Sequence, residues 1–185
     1  MKNAAAADKE LSYRPGTPIP EIEPRWYAAY TCANHEKRVA EQMRQRSVEH
    51  FLPQYRSLRR WKDRRIELEL PLFPGYVFVR MALRERLRVL EVPSVVHIVS
   101  FGGRPVALPD EQMTRLRDGL SPSLRAGPHP YMTAGRRVRI LHGALAGMEG
   151  ILLRLKGSLR VVLSLDLILR SISVEMDAAD ITPAS

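Results

Sequence analysis

Apolar and polar residues recur along this chain in two textures. In the first, strand-like runs are separated by stretches with helical spacing. RWYAAYT (25–31) is aromatic-rich and predicts a strand. HEKRVAEQMRQRSVEH (35–50) is charged, free of Gly and Pro, and helical in propensity, with Asn34 as its expected cap. Its apolar stripe is thin, carried by Val39, Ala40 and Met43, so this helix needs a sheet to lie on. FLPQYRSL (51–58) predicts a second strand, and IELEL (66–70) alternates as a half-solvated strand does. Pro71, Pro74 and Gly75 punctuate, and GYVFVRM (75–81) predicts another strand. Leu83, Leu87 and Leu90 fall at i, i+4 and i+7, one face of a helix. SVVHIVSF (94–101) predicts a strand closed by a Gly102-Gly103 turn. Asp110 then caps a short helix with Met113, Leu116 and Leu120 inward and Gly119 near its end.

Two helices on one face of a mainly antiparallel sheet make a ferredoxin-like α+β plan for residues 25–120. Residues 1–24, with an Ala run and four prolines, predict a flexible tail. SPSLRAGPHPYM (121–132) holds three prolines and reads as a semi-stiff linker. After it comes the second texture. RRVRIL, GILLRLK, LRVVLSL and SISVEM are closely spaced short strands with turn glycines and no long helix pattern. Residues 133–185 therefore predict a small SH3-like β-barrel, which hides its strand edges.

Charge changes this picture. The 185 residues carry 29 basic and 20 acidic side chains, a formal +9, and 24 of the basic groups are Arg. Guanidinium grips phosphate bidentately, so the balance suits polyanion contact; a GC-rich genome also inflates Arg. The excess is local: residues 55–65 hold Arg56, Arg59, Arg60, Lys62, Arg64 and Arg65 around Trp61, against Asp63 alone. A basic hairpin with an aromatic can follow single-stranded nucleic acid and stack a base; it can equally be a solvated loop. A lone Cys32 excludes a disulfide framework, and five scattered histidines lack metal-ligand spacing. No apolar run approaches a membrane span, and the N-terminus lacks a secretory h-region, so we expect a soluble, cytoplasmic monomer without a cofactor or metal.

Two motifs carry more information. Val138, Ile140, Gly143, Leu145, Gly147 and Gly150 give V-x-I-x-x-G-x-L-x-G-x-x-G, which resembles the KOW motif of elongation factors and some ribosomal proteins. LFPGYVFVRM (72–81), preceded by RWYAAYT and FLPQYRS, resembles the N-terminal domain of NusG-type transcription elongation factors. The resemblance runs from Arg25 to about Ile181, with both domains in the family's order. LPLFPGYVFVRM, VSFGGRPVALPDEQM and VVLSLDLILRSISVEMDAADI look most like the specialised UpxY and RfaH-type branch, which acts on long polysaccharide operons.

The resemblance implies a function without covalent chemistry. An apolar depression containing Phe73, Pro74, Tyr76 and Phe78 would dock on the clamp helices of the RNA polymerase β′ subunit; a plain core role for Tyr76 and Phe78 is the other reading. By the two-residue period Tyr76 and Phe78 share one face, and Val77 and Val79 point to the helices. Arg88, in Leu87-Arg88-Val89, stands where relatives touch the β gate loop, although their His-Thr-Thr run is absent. The basic hairpin would approach the non-template DNA strand. Bridging both jaws holds the clamp closed and disfavours pausing and termination. In the C-terminal domain Leu167, Ile168 and Leu169 occupy the loop that meets a small-subunit ribosomal protein or Rho in relatives. The aromatic expected there is missing, which argues against Rho.

The rivals are a general NusG-type elongation factor and a ribosome-associated KOW protein; the F-P-G-Y strand argues against the second. A Cys32–His35 catalytic pair is the remaining alternative, and we expect no enzymatic activity.

Overall fold

A computed structural model describes residues 22–61, 64–120, 124–132, 135–155 and 158–184, with the side chains of 58–61, 65 and 155 outside that description. Along it run β1 (Arg25–Thr31), α1 (Glu36–Gln45), β2 (Glu49–Phe51), β3 (Gln54–Trp61), β4 (Arg64–Pro71), β5 (Tyr76–Met81), α2 (Arg86–Leu90), β6 (Val95–Ile98), β7 (Ser100–Phe101), β8 (Arg104–Pro105) and α3 (Asp110–Gly119). There follow β9 (Ala126–His129), β10 (Arg137–Ile140), β11 (Glu149–Leu155), β12 (Ser158–Leu165), β13 (Arg170–Met176) and β14 (Ile181–Pro183). The fold is mixed α/β.

The alternation in β1 and β5 builds the N-terminal sheet, ordered β2-β5-β1-β6 with every neighbour antiparallel. Tyr27, Ala29, Val77 and Val79 face Val39 and Met43 of α1 and Val89 of α2, as the period of two requires. Trp26, Ala28 and Phe78 face the other way, toward Met113 and Leu116 of α3. Thus α1 and α2 share one face of this sheet and α3 lies on the other. After α3, β14-β10-β11-β12-β13-β9 form a second antiparallel sheet of six strands.

Several local expectations change. Asn34 is not the cap: its φ of +62° is left-handed, and His35 takes the cap position without a side-chain bond. The helix stops at Gln45, and Ser47, at φ +53°, turns the chain so that Glu49–Phe51 can pair with β5. FLPQYRSL is two strands, not one, because Pro53 separates β2 from β3 and its carbonyl accepts the Leu72 N–H at 2.9 Å. SVVHIVSF likewise breaks at Val99, between β6 and β7. The face expected from Leu83, Leu87 and Leu90 is wrong: Leu87 is 59% exposed, while Val89 and Val92 are buried. Asp110 is the first helical residue rather than the cap, and its carboxylate pairs with Arg25 at 3.1 Å. Most consequential, the stretch read as a linker contributes β9, which pairs with β13 from Ala126↔Val174 to His129↔Ser171.

One buried carboxylate holds the first sheet to α1. Glu36 is 5% exposed, and its Oε1 accepts the Gly75 N–H at 2.7 Å. Gly75 sits at φ +87°, and a Cβ there would lie 3.1 Å from the Tyr30 ring, so the F-P-G-Y turn needs glycine. Glu36→Ala is expected to lower stability to urea by about 1–3 kcal/mol, because a buried N–H loses its acceptor. Glu36→Gln, which keeps an acceptor oxygen, should lose less.

Candidate functional site

The residues of β1, β2 and β5 that point away from α1 and α2 assemble an aromatic patch. Phe78 pairs with Ala28 on one side and Phe51 on the other. The Phe73 ring meets Phe78 edge-on with centroids 5.4 Å apart, and Phe51 lies 6.3 Å away. Farther along, Tyr76 lies 5.4 Å from Tyr30, which lies 5.2 Å from His97. The candidates Phe73, Tyr76 and Phe78 are therefore brought together, with Phe51 and Tyr30 added. Pro74 is exposed beside them. Arg88 stands apart, on α2: its guanidinium donates to the Arg46 carbonyl at 2.7 Å and lies 3.6 Å from Glu85.

This patch is covered. Phe73 and Phe78 are 1% and 0% exposed, and they belong to one continuous apolar cluster with α3, with Val138, Ile140 and Leu165 of the C-terminal sheet, and with Leu145 and Ile168 of its loops. The polar contacts across the junction agree. Arg115 Nη1 donates to the Ala146 carbonyl at 2.8 Å, Gln112 Nε2 donates to the Ser164 carbonyl at 3.4 Å, and Arg170 stacks 5.7 Å from the Tyr76 ring centre. Gly119 ends α3 against Leu145; a Cβ there would stand 2.3 Å from Leu145 Cδ2. Arg115, Gln112 and Arg170 were not singled out from sequence, and Gly119 was read only as a helix end. Gln112 and Arg115 flank the inward Met113 and Leu116, but nothing in a sequence says which carbonyl a helix will meet.

The glycine motif is ordered as its spacing predicts. Val138 and Ile140 are buried, Leu145 is 4% exposed, and Gly143 and Gly147 both take φ +82°. Gly150 serves differently: a Cβ there would stand 2.5 Å from the Val162 carbonyl oxygen. In the neighbouring turn Ile168 is buried, Leu167 half-buried, and Leu169, at φ +49°, is 57% exposed. Ile168 is thus buried in the apolar cluster that both sheets share and not open to solvent.

The basic run forms the hairpin β3–β4, a separate two-stranded sheet with register Gln54↔Pro71 to Trp61↔Arg64. Arg56 pairs with Glu67 at 3.5 Å, and Arg64 is exposed. Arg59, Arg60, Trp61 and Arg65 are placed by backbone register only, and Lys62 lies outside the described residues. Alternation splits the set: Arg56, Arg60 and Arg65 occupy one set of register positions, Arg59, Trp61 and Arg64 the other.

At the far end of Trp26 a polar cleft of about 190 Å³ is lined by Glu49, Arg80, Asp110, Thr114 and Arg117. Its carboxylates are engaged: Glu49 by Arg117 at 3.3 Å and Arg80 at 3.4 Å, Asp110 by Arg25. Tyr27, the next residue after Trp26, is fully buried on the other face of the sheet, and burial pushes its phenol above the ordinary range, so it stays neutral. His35 Nδ1 bonds Ser94 Oγ at 2.8 Å, while Cys32 is exposed. Among the described residues no group of His, Cys, Asp and Glu is placed to hold a metal, and no helix is long and apolar enough to cross a membrane.

Comparison with known proteins bears on this arrangement. A family model described as NusG, transcription termination factor nusG, matches residues 24–117. The transcription termination/antitermination protein NusG of Lactococcus lactis subsp. lactis (strain IL1403) is 26% identical over 175 residues, covering 82% of this chain and 89% of that protein. Its counterpart in Vibrio parahaemolyticus serotype O3:K6 (strain RIMD 2210633) is 27% identical over 140 residues, covering 68% and 76%. A solved structure of domain interaction in Thermotoga maritima NusG superposes with a TM-score of 0.57 at 21% identity, over 89% of this chain and 99% of that one, a likeness of fold.

Proposed function

This chain belongs to the NusG family, and from that premise we propose that it is a transcription elongation and antitermination factor whose aromatic face docks on RNA polymerase. The observation that supports this is the patch itself: Phe51, Tyr76 and Phe78 of the sheet and Phe73 of the turn before β5 belong to one contiguous apolar cluster, which the second sheet covers here. We read the N-terminal sheet as ferredoxin-like and the C-terminal sheet as the KOW barrel. Phe73, Pro74, Tyr76 and Phe78 meet the β′ clamp helices, and Arg88 lies toward the β gate loop. The hairpin β3–β4 approaches non-template DNA through Arg56, Arg59, Arg60, Trp61, Lys62, Arg64 and Arg65. The KOW turn, Leu167 to Leu169, meets a small-subunit ribosomal protein. Both apolar surfaces are shut against each other here, so polymerase and the C-terminal domain compete for one face. Binding then selects the open state and holds the polymerase clamp closed.

Tyr76 is the practical probe, being half-buried at the rim of the patch. Tyr76→Ala is expected to weaken binding to core RNA polymerase by about tenfold, the loss typical of an interface aromatic. Unchanged affinity rejects the docking face. For the hairpin, an Arg59/Arg60/Lys62 triple alanine variant should flatten the salt dependence of single-stranded DNA binding by about 2 in log–log slope. An unaltered slope removes the hairpin from the reading.

The relatives carry the termination/antitermination name, which supports a general elongation role as the second reading. The operon-restricted role is the narrower one. First position in a polysaccharide cluster supports it; a gene beside secretion and ribosomal genes supports the general role.

A further inference from the structure

The hairpin β7–β8 is used by none of the contacts above. It leaves the N-terminal sheet beyond the edge strand β6, across the sheet from β2 and the basic hairpin. Its base is fixed: the Val99 N–H donates to the Ala28 carbonyl at 2.8 Å, and the Val106 N–H to the Val99 carbonyl at 3.2 Å. Its two-residue turn is Gly102-Gly103 at φ +58° and +77°, the pair of positive angles a tight hairpin needs. Neither glycine has a neighbour within 4 Å of where a Cβ would stand, so the tip is clear of the protein.

At this tip Phe101 is 85% exposed, more than any other large apolar residue described. Arg104 is directly opposite it in register and also exposed, so the two side chains leave the hairpin on the same face. Residues 99–107 contain no Asp or Glu, and among the described residues Arg104 has no ion pair or side-chain hydrogen bond. A hydrophobic protein contact would be served by neighbouring apolar groups. Here a single ring is framed by glycines and one free cation.

We propose that the Phe101–Arg104 tip is a binding site for single-stranded nucleic acid, with Phe101 stacking on an unpaired base and Arg104 on the adjoining phosphate. An aromatic ring accepts any base face, and the guanidinium supplies the charge that the backbone requires. The site is independent of the basic hairpin and adds a contact at the opposite sheet edge. The turn needs no rearrangement to present both groups.

The test reads position 101 alone. In the full-length chain, Phe101→Trp is combined with Trp61→Phe, and fluorescence is followed on adding oligo-dT or oligo-rU. Trp26 is buried and supplies only background. Quenching by either oligonucleotide supports the proposal, and the stronger quencher tells DNA from RNA. Phe101→Ala should weaken oligonucleotide binding on the order of tenfold. Arg104→Gln should reduce the salt slope by about 0.7. No quenching with both oligonucleotides, or unchanged affinity in Phe101→Ala, overturns it. So does loss of polymerase binding in Phe101→Ala with oligonucleotide affinity intact, which marks a protein contact. The unmodified chain, read through Trp61, tests the basic hairpin separately, so the two can fail independently.

Discussion

Phe78→Ala is expected to cost about 3–5 kcal/mol of unfolding free energy, the range for removing a large ring from a core that cannot collapse around the void. Phe78 is fully buried, pairs with β1 and β2, and is touched edge-on by Phe73. Urea titration with an unchanged m-value gives the measurement. A loss below about 1 kcal/mol would show that Phe78 is not a shared keystone of the two sheets. This result also disqualifies Phe78→Ala as a probe of polymerase contact, since lost binding would follow from lost folding. Tyr76 avoids that confusion.

Gly119→Val should part the two sheets. The virtual Cβ lies 2.3 Å from Leu145 Cδ2 and 2.6 Å from Cγ, and Leu145 is 4% exposed with no open side to move toward. We expect a larger radius of gyration by X-ray scattering and faster amide exchange in β10 and β12, with the N-terminal sheet still folded. If polymerase competes for the covered face, affinity for core polymerase rises in the same variant. The pair Gly119→Val and Leu145→Ala should recover part of the closure, since the second change makes room for the first; a double-mutant cycle reads the coupling. Unchanged scattering in Gly119→Val would show that α3 and the Leu145 loop do not hold the closure.

The facing of β5 was legible because strand period and burial agree: Val77 and Val79 turn one way, toward the helices, and Phe78 the other. The glycines at 143 and 147 were legible because positive φ leaves few alternatives. The face of α2 was not. A helix of five residues is too short for its spacing to define a stripe, and Val89 and Val92 are the residues that reach the sheet. Nor was β9, since Ala126-Gly127-Pro128-His129 has no strand propensity of its own and is recruited by β13 from 45 residues downstream. Of the candidate site, the aromatic set was legible and its cover was not. Apolar character shows that a surface wants a partner, and only the assembled chain shows that the partner is its own second sheet.

Strand β9 also sets how far that second sheet can travel. Five residues, 121–125, join Leu120 to the first residue of β9. Fully extended, such a leash spans about 20 Å. If β9 peels from β13 and Met132 also gives up its bonds to Ser164 and Ser171, the segment runs to Arg136, whose carbonyl accepts the Leu152 N–H, and the span grows to roughly 55 Å. The local concentration of one domain about the other then falls by about fivefold, following the −3/2 power of tether length. A ladder of four residue pairs, one of them a proline with no N–H to give, stores the length that decides whether the C-terminal sheet returns to its seat or reaches a partner beyond it.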